Sequence, residues 1–188
     1  GRRGKDSSLR YPVESVKTEE DTVGWTKGLV RTMVPVYLST AQGSSNNKVD
    51  VSLALKFGDF LSSARLFRAV LGIGAAPVIV IRDALPADAE IRPLREPPLL
   101  IDAQRKAISI LGVVSCRVKM GCKDYPVQAL VAEKLSVELL LGTQFIDMFV
   151  QVINARRRKV LMDFGDAVPL VSGTSTKHGR VFVAERIL

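Results

Sequence analysis

The chain has 188 residues, 47% of them hydrophobic, and a formal net charge of +8. This length is typical of one domain with additional tails and is sufficient to bury a core. No apolar run reaches the roughly 18 residues that a membrane helix needs, which argues against a membrane partner. One histidine and two cysteines are too few for a structural zinc site in one chain, so we expect no metal and no cofactor.

The start of the sequence is polar and charged. Residues 1–30 lack sustained periodicity, and we expect a flexible segment there. The chain begins without an initiator methionine or a signal peptide, so we expect a piece of a longer polyprotein, located inside the cell in the cytoplasm. Cys116 and Cys122 are interpreted as free thiols. A Ser-His-Asp triad would need His178, whose Gly/Ser/Thr-rich surroundings argue against it.

Basic residues cluster near the start of the chain and again at 156–159. No stacking aromatic residues are interleaved with them, which weakens a nucleic-acid-binding interpretation. We therefore interpret these clusters as solvated turns and tails rather than as a nucleic-acid interface.

Strand patterns begin early in the chain. Residues 29–38 predict a strand in which Pro35 indicates a sheet edge. From 49 to 55, apolar and polar residues alternate, which indicates a half-buried strand. A turn at 57–60 and a second strand ending in Ala69-Val70-Leu71 complete a β-hairpin. The β-branched run 78–81 predicts the next strand.

The second half of the sequence continues this pattern after a Pro-rich, charged loop at 87–98. Further strands are predicted at 99–101, 107–111, 113–120 and 127–132, with Gly112 as a break. Leu139–Leu141 is a core strand, and Thr143 is expected to N-cap a short helix over 144–149. A last hairpin is predicted at 150–153 and 160–162. Many short strands with one short helix favour a small β-barrel or sandwich.

Two motifs carry a resemblance to a known family. The first is Gly72-Ile73-Gly74-Ala75, which follows the apolar strand Ala69-Val70-Leu71. The second is Leu140-Leu141-Gly142-Thr143. Their order resembles the retropepsin-like proteases of long-terminal-repeat retrotransposons, in which an apolar strand enters Asp-Thr/Ser-Gly-Ala and an apolar-apolar-Gly segment later precedes a short helix.

This resemblance implies an all-β fold: a small closed barrel of the retropepsin type with one short helix. It covers about residues 48–170, and we place the domain at 31–163, best supported over 48–163, followed by a linker or tail at 164–188. It also implies a homodimer with a peptide or polyprotein substrate. The flap over the cleft is expected at residues Asp102, Ala103, Gln104, Arg105 and Lys106.

The first motif departs from the family pattern. Gly72 stands where the family has its catalytic aspartate, and Ile73 stands where it has Thr or Ser. Paired carboxylates in the family share one proton and activate water, which glycine cannot do. The sequence therefore predicts no intact catalytic residue and a pseudoenzyme relative of aspartic endopeptidases. Two alternatives remain: an active endopeptidase that processes its own polyprotein, and a peptide-binding or dimerisation module.

Other aspartates and one other motif offer alternative sites. Asp59 is part of a Gly-Asp turn, Asp83 follows a different strand, and Asp21 lacks a preceding apolar strand. Gly72-x-Gly74 is also found in dinucleotide-binding loops, but Pro77 takes the place of the third glycine and no helix follows. We therefore favour neither a displaced aspartate nor a dinucleotide site.

Overall fold

The computed structural model describes residues 14–17, 30–37 and 47–172. These residues form fourteen strands and one α-helix. The elements in chain order are β1 Glu14–Lys17, β2 Val30–Pro35, β3 Lys48–Phe57, β4 Phe60–Leu61, β5 Arg65–Leu71, β6 Val78–Ile81, β7 Leu99–Ile101, β8 Ala107–Ile108, β9 Ile110–Met120, β10 Lys123–Ala132, β11 Leu139–Leu141, α1 Thr143–Phe149, β12 Val150–Asn154, β13 Lys159–Met162 and β14 Ala167–Pro169.

A closed barrel dominates the architecture. Its strands follow the order β3-β5-β11-β6-β10-β9, and β9 pairs back with β3, so the sheet closes on itself. The long β9–β10 hairpin and the β3–β5 hairpin are antiparallel, as their turn residues and alternating patterns predict. The expectation of a mostly β, closed-barrel fold with one short helix is confirmed.

The strands nearest the motifs are buried on both faces. Leu139 and Leu141 face the barrel interior, whereas Leu140 belongs to a second apolar cluster. In the neighbouring strand β5, Leu71 belongs to the interior and Val70 to the second cluster. Burial on two faces explains why these strands are continuous apolar runs rather than alternating ones.

The second apolar cluster has a cover made of two short strands. Strand β2 runs parallel to β7, with Val34 opposite Leu100, and both residues are buried. The cover belongs to a four-stranded sheet of order β1-β2-β7-β8. Strand β2 therefore lies between β7 and β1, which pairs with it over Val30–Met33, and the edge position predicted from Pro35 is wrong for the strand as a whole. Pro35 is tolerated because the pairing with β1 ends at Met33, so β1 offers no partner for an N–H at residue 35.

Two further local predictions are corrected. Gly142, not Thr143, is the N-cap of α1, and Thr143 is the first helical residue. Strand β9 does not break at Gly112 but runs through it. Glycine is needed there because a Cβ atom would overlap the carbonyl oxygen of Arg92. Glycine at that position serves a close backbone approach rather than a turn.

A small C-terminal sheet of β12, β13 and β14 adjoins the barrel. Leu170 bridges to Val49 and the N–H of Val171 donates to the Lys48 carbonyl oxygen, so ordered contacts run past residue 163. The domain limits otherwise stay a prediction, and the proposed flexible start and the end of the tail lie largely outside the described residues.

In the described part, no helix has the length and apolarity to cross a membrane.

Candidate functional site

The structure brings the two sequence motifs together. Strands β5 and β11 run parallel and adjacent, with Val70 opposite Leu140 and Leu71 opposite Leu141. Directly after β5, the N–H of Gly72 donates to the Leu141 carbonyl oxygen at 2.9 Å. Two segments that are distant in the sequence therefore meet at the ends of neighbouring strands, which is the place where loops of adjacent parallel strands meet to form sites.

Gly142 lets the second motif lie against the first. A Cβ atom there would come within 2.6 Å of the Ala75 carbonyl oxygen and closer still to those of Ala76 and Pro77. This close approach brings the next two amides within hydrogen-bonding distance of the loop. The Thr143 N–H donates to the Ala75 carbonyl oxygen at 2.8 Å, and the Gln144 N–H donates to the Ala76 carbonyl oxygen at 2.9 Å. The start of α1 is thus bonded to the loop 72–76, hereafter the motif loop, at two carbonyl oxygens.

The residues of the motif loop differ in exposure to solvent. Gly72 and Ala75 are buried, whereas Ile73 is 79% exposed. A Cβ atom on Gly72 would lie 2.6 Å from Cδ1 of Leu140, the end of a flexible side chain. A carboxylate at this position would therefore require Leu140 to move.

No carboxylate replaces the missing aspartate at the motif loop in the described structure. Asp59 lies in the turn between β3 and β4, and Asp83 lies in a single 3₁₀ turn after β6, beyond the far end of that strand. Asp21 and His178 lie outside the described residues. A hollow of about 230 Å³ beside the loop is lined only by apolar residues, glycine and one threonine: Pro35, Ile73, Gly74, Ala75, Ala76 and Thr143.

The predicted flap residues form the turn between β7 and β8. The Asp102 carboxylate accepts hydrogen bonds from the backbone N–H groups of Gln104 and Lys106, both at 2.9 Å. This carboxylate stabilises its own turn, and Ala103 to Lys106 are exposed. Beneath the turn is a hollow of about 390 Å³, lined by Val36, Asp102, Ala103, Gln104, Ile108, Lys134, Leu135 and Ser136.

The sequence did not indicate that residues 36 and 37 would contact this site. The Val36 N–H donates to the Ile101 carbonyl oxygen at 2.8 Å, at the base of the flap turn. The Tyr37 N–H donates to the Gly74 carbonyl oxygen at 2.9 Å. These are backbone contacts, so no side-chain pattern in the sequence predicts them.

The cysteines lie apart from the motif loop and from each other. Cys116 is buried, and burial raises the pKa of its thiol to about 12. Cys122 is exposed, and its thiol donates to the Asp166 carboxylate at 3.0 Å. That hydrogen bond and the Asp166 charge raise the pKa of Cys122. Among the described residues, no group of three or more metal-ligating side chains exists.

Comparisons with known proteins give a likeness in structure but not in sequence. No protein-family model and no curated protein matches this sequence. The retroviral protease-like domain of Ddi1 from Leishmania major matches at a TM-score of 0.47 and 15% identity, covering 66% of this chain and 94% of that one. The functional assignment therefore depends on the motifs and on the geometry of the motif loop.

Proposed function

We propose that this chain is a retropepsin-like domain of a retroelement polyprotein that does not cleave peptides. The observation that carries the proposal is the meeting of the two motifs, in which the Gly72 N–H is bonded to the Leu141 carbonyl oxygen. The order and spacing of these motifs resemble the family. Their contact supports the interpretation of Gly72 as the position of the lost aspartate.

The loss of activity follows from the chemistry of the aspartic mechanism. One carboxylate activates the attacking water, and a second, protonated one donates to the scissile carbonyl. Gly72 supplies neither group, and in a symmetric dimer both copies are lost together. Removing one general acid–base group typically costs about 10² to 10⁴ in rate. The expected turnover is therefore at background.

Restoration of the motif tests this assignment. The informative variant is Gly72→Asp with Ile73→Thr, and the matched control is Gly72→Asn with Ile73→Thr, which has the same shape without the carboxylate. We expect pepstatin-sensitive peptide cleavage at acidic pH from the aspartate variant alone. Equal cleavage by the asparagine control would contradict the placement of the catalytic position at Gly72.

A dimerisation role is a second candidate, favoured by Ile73. A β-branched apolar side chain that is 79% exposed at the tip of the motif loop is a candidate contact between two copies. In a symmetric dimer the two Ile73 side chains would face each other. Sedimentation should detect a dimer that Ile73→Asp weakens, whereas Leu66→Asp, at another exposed apolar position, should leave it intact. A strict monomer at high concentration would overturn this role.

A further inference from the structure

Strand β2 lies in a groove between the flap turn and the motif loop. On one side it runs parallel to β7, with Pro35 opposite Ile101. On the other side Val36 forms an antiparallel bridge with Ala75 of the motif loop. A single extended segment therefore connects the two parts of the domain between which the resemblance implies a substrate cleft.

The side chains of this segment fill the groove. Val34 and Val36 are 0% and 2% exposed, and both belong to the second apolar cluster. The groove is lined by residues of the motif loop and of strands β5, β7 and β11. These residues are Ala75 and Ala76 in the motif loop, Val70 in β5, Leu100 in β7 and Leu140 in β11. The two valines are alternate residues of an extended strand, so both point to the same face.

Backbone hydrogen bonds hold the segment independently of its side chains. The donors are the N–H groups of Val36 and Tyr37, and the acceptors are the carbonyl oxygens of Ile101 and Gly74. At Gly74 the fit is close, because a Cβ atom there would overlap the Tyr37 carbonyl oxygen. Some proteins bind an extended peptide as an added strand at a sheet edge. In such sites the main-chain hydrogen bonds give affinity and pockets for alternate side chains give specificity.

The groove extends beyond the segment. The hollow beside the motif loop includes Pro35 in its lining, and the hollow under the flap turn includes Val36. These two hollows leave unfilled space next to Pro35 and Val36. A peptide with larger side chains than this segment could use that space.

We infer that this groove is an acceptor site for an extended peptide with β-branched apolar residues at alternate positions, and that residues 33–37 of the same chain occupy it as a resident pseudo-ligand. The inference deepens the proposed function, because it rests on the retropepsin-like cleft. It adds the class of ligand and a regulatory contact: the chain blocks its own cleft.

An intramolecular ligand competes strongly with a free one. The segment and the groove belong to one chain, and ligands joined covalently to their site commonly reach an effective concentration on the order of millimolar. A free peptide binds only to the fraction of molecules in which the groove is open. Release of the segment should therefore tighten the binding of a free peptide about tenfold or more.

The test uses the full chain and a fluorescent peptide that copies residues 30–37. The release variant is Val36→Asp with Tyr37→Pro, which places a charge in the apolar groove and removes the N–H donor to Gly74. The matched control is Tyr37→Ala, which keeps that donor and changes a side chain that is exposed. Anisotropy reports peptide binding, and amide hydrogen exchange on the unmodified chain reports docking of the segment without any substitution.

We expect hydrogen exchange to show protected amides at Val36 and Tyr37 in the unmodified chain. We expect the unmodified chain and the control to bind the peptide weakly, and the release variant to bind it about tenfold more tightly or better. Unprotected amides at both positions in the unmodified chain would overturn the resident strand, even where peptide binding persists. A folded release variant that does not bind the peptide would overturn the acceptor groove. Neither result bears on the missing aspartate. Because the resident segment would compete with a substrate peptide, the cleavage assay of the Gly72→Asp, Ile73→Thr variant uses peptide concentrations above about 1 mM, the effective concentration of the segment.

Discussion

The N–H of Gly72 donates a hydrogen bond to the Leu141 carbonyl oxygen at 2.9 Å, which joins the first motif to the second. The bond continues the parallel pairing of β5 and β11 into the motif loop. Because Gly142 follows immediately, the chain can turn into α1 while it remains against the backbone of the motif loop. The site is therefore a backbone structure that does not depend on the absent carboxylate.

Gly142→Ala should destabilise the domain. The added methyl group would lie within 2.6 Å of the Ala75 carbonyl oxygen, and backbone atoms cannot move aside as a side chain can. We expect a loss of about 1 to 3 kcal/mol in the free energy of unfolding, measured by denaturant titration. Gly58→Asn is the control, because asparagine tolerates a positive φ and Gly58 has open space around it. Equal losses for both variants would contradict the tight contact.

Gly72 and Leu140 should be energetically coupled. Gly72→Ala places a Cβ atom 2.6 Å from Cδ1 of Leu140 and should cost about 1 to 3 kcal/mol. Leu140→Ala should itself cost about 2 to 5 kcal/mol because Leu140 is fully buried. In that background the clash is absent, so the cost of Gly72→Ala should largely disappear. Strict additivity in a double-mutant cycle would argue that Gly72 does not face Leu140.

The sequence predicted much of this fold because the strands have clear signals. The alternation in β3, the β-branched run of β6 and the apolar run of β11 each correspond to an observed strand. The errors came from tertiary context. Pro35 is tolerated in a strand with two neighbours because the pairing with β1 ends at Met33. Gly112 permits a close approach to Arg92 within a continuous strand. Neither residue's local propensity contains that information.

Glu138→Ala should destabilise the domain, because it removes a carboxylate that contacts a buried guanidinium. Arg65 is 2% exposed, and its guanidinium contacts the Glu138 carboxylate at 3.2 Å and the Ala84 carbonyl oxygen at 2.6 Å. Removing the carboxylate should cost about 2 to 3 kcal/mol, below the usual range for a fully buried pair because the Glu138 side chain is 20% exposed. Chemical denaturation measures the loss. Glu133→Ala, at an exposed glutamate, should change stability by less than about 0.5 kcal/mol.

The two thiols should differ in reactivity, and Asp166 should control the exposed one. Because the Asp166 hydrogen bond and charge raise the pKa of Cys122, less thiolate is present at pH 8 than for an ordinary cysteine. Asp166→Asn removes the charge, so the alkylation rate at pH 8 should rise severalfold and the pH–rate curve should shift to lower pH. Mass spectrometry should detect no comparable change in Asp163→Asn, and Cys116 should stay unmodified in the folded protein.

The candidate site was predictable only in part from the sequence. The motifs 72–75 and 140–143 were identified because their residue types and order are informative, and the structure places them in contact. The placement of Val36 and Tyr37 at the site could not be predicted: backbone hydrogen bonds to Ile101 and Gly74 hold them there, and the apolar side chain of Val36 indicates burial but not its partners. A strand docked through its main chain has no required side chain at those bonds.

The most direct test of the central claim is the incubation of the unmodified full chain with a peptide library at acidic pH, with and without pepstatin, followed by mass spectrometry of the products. Since Gly72 provides no carboxylate, the account predicts no pepstatin-sensitive cleavage at any peptide bond. Cleavage that pepstatin abolishes, from this chain as written, would contradict the claim that the aspartic mechanism is lost.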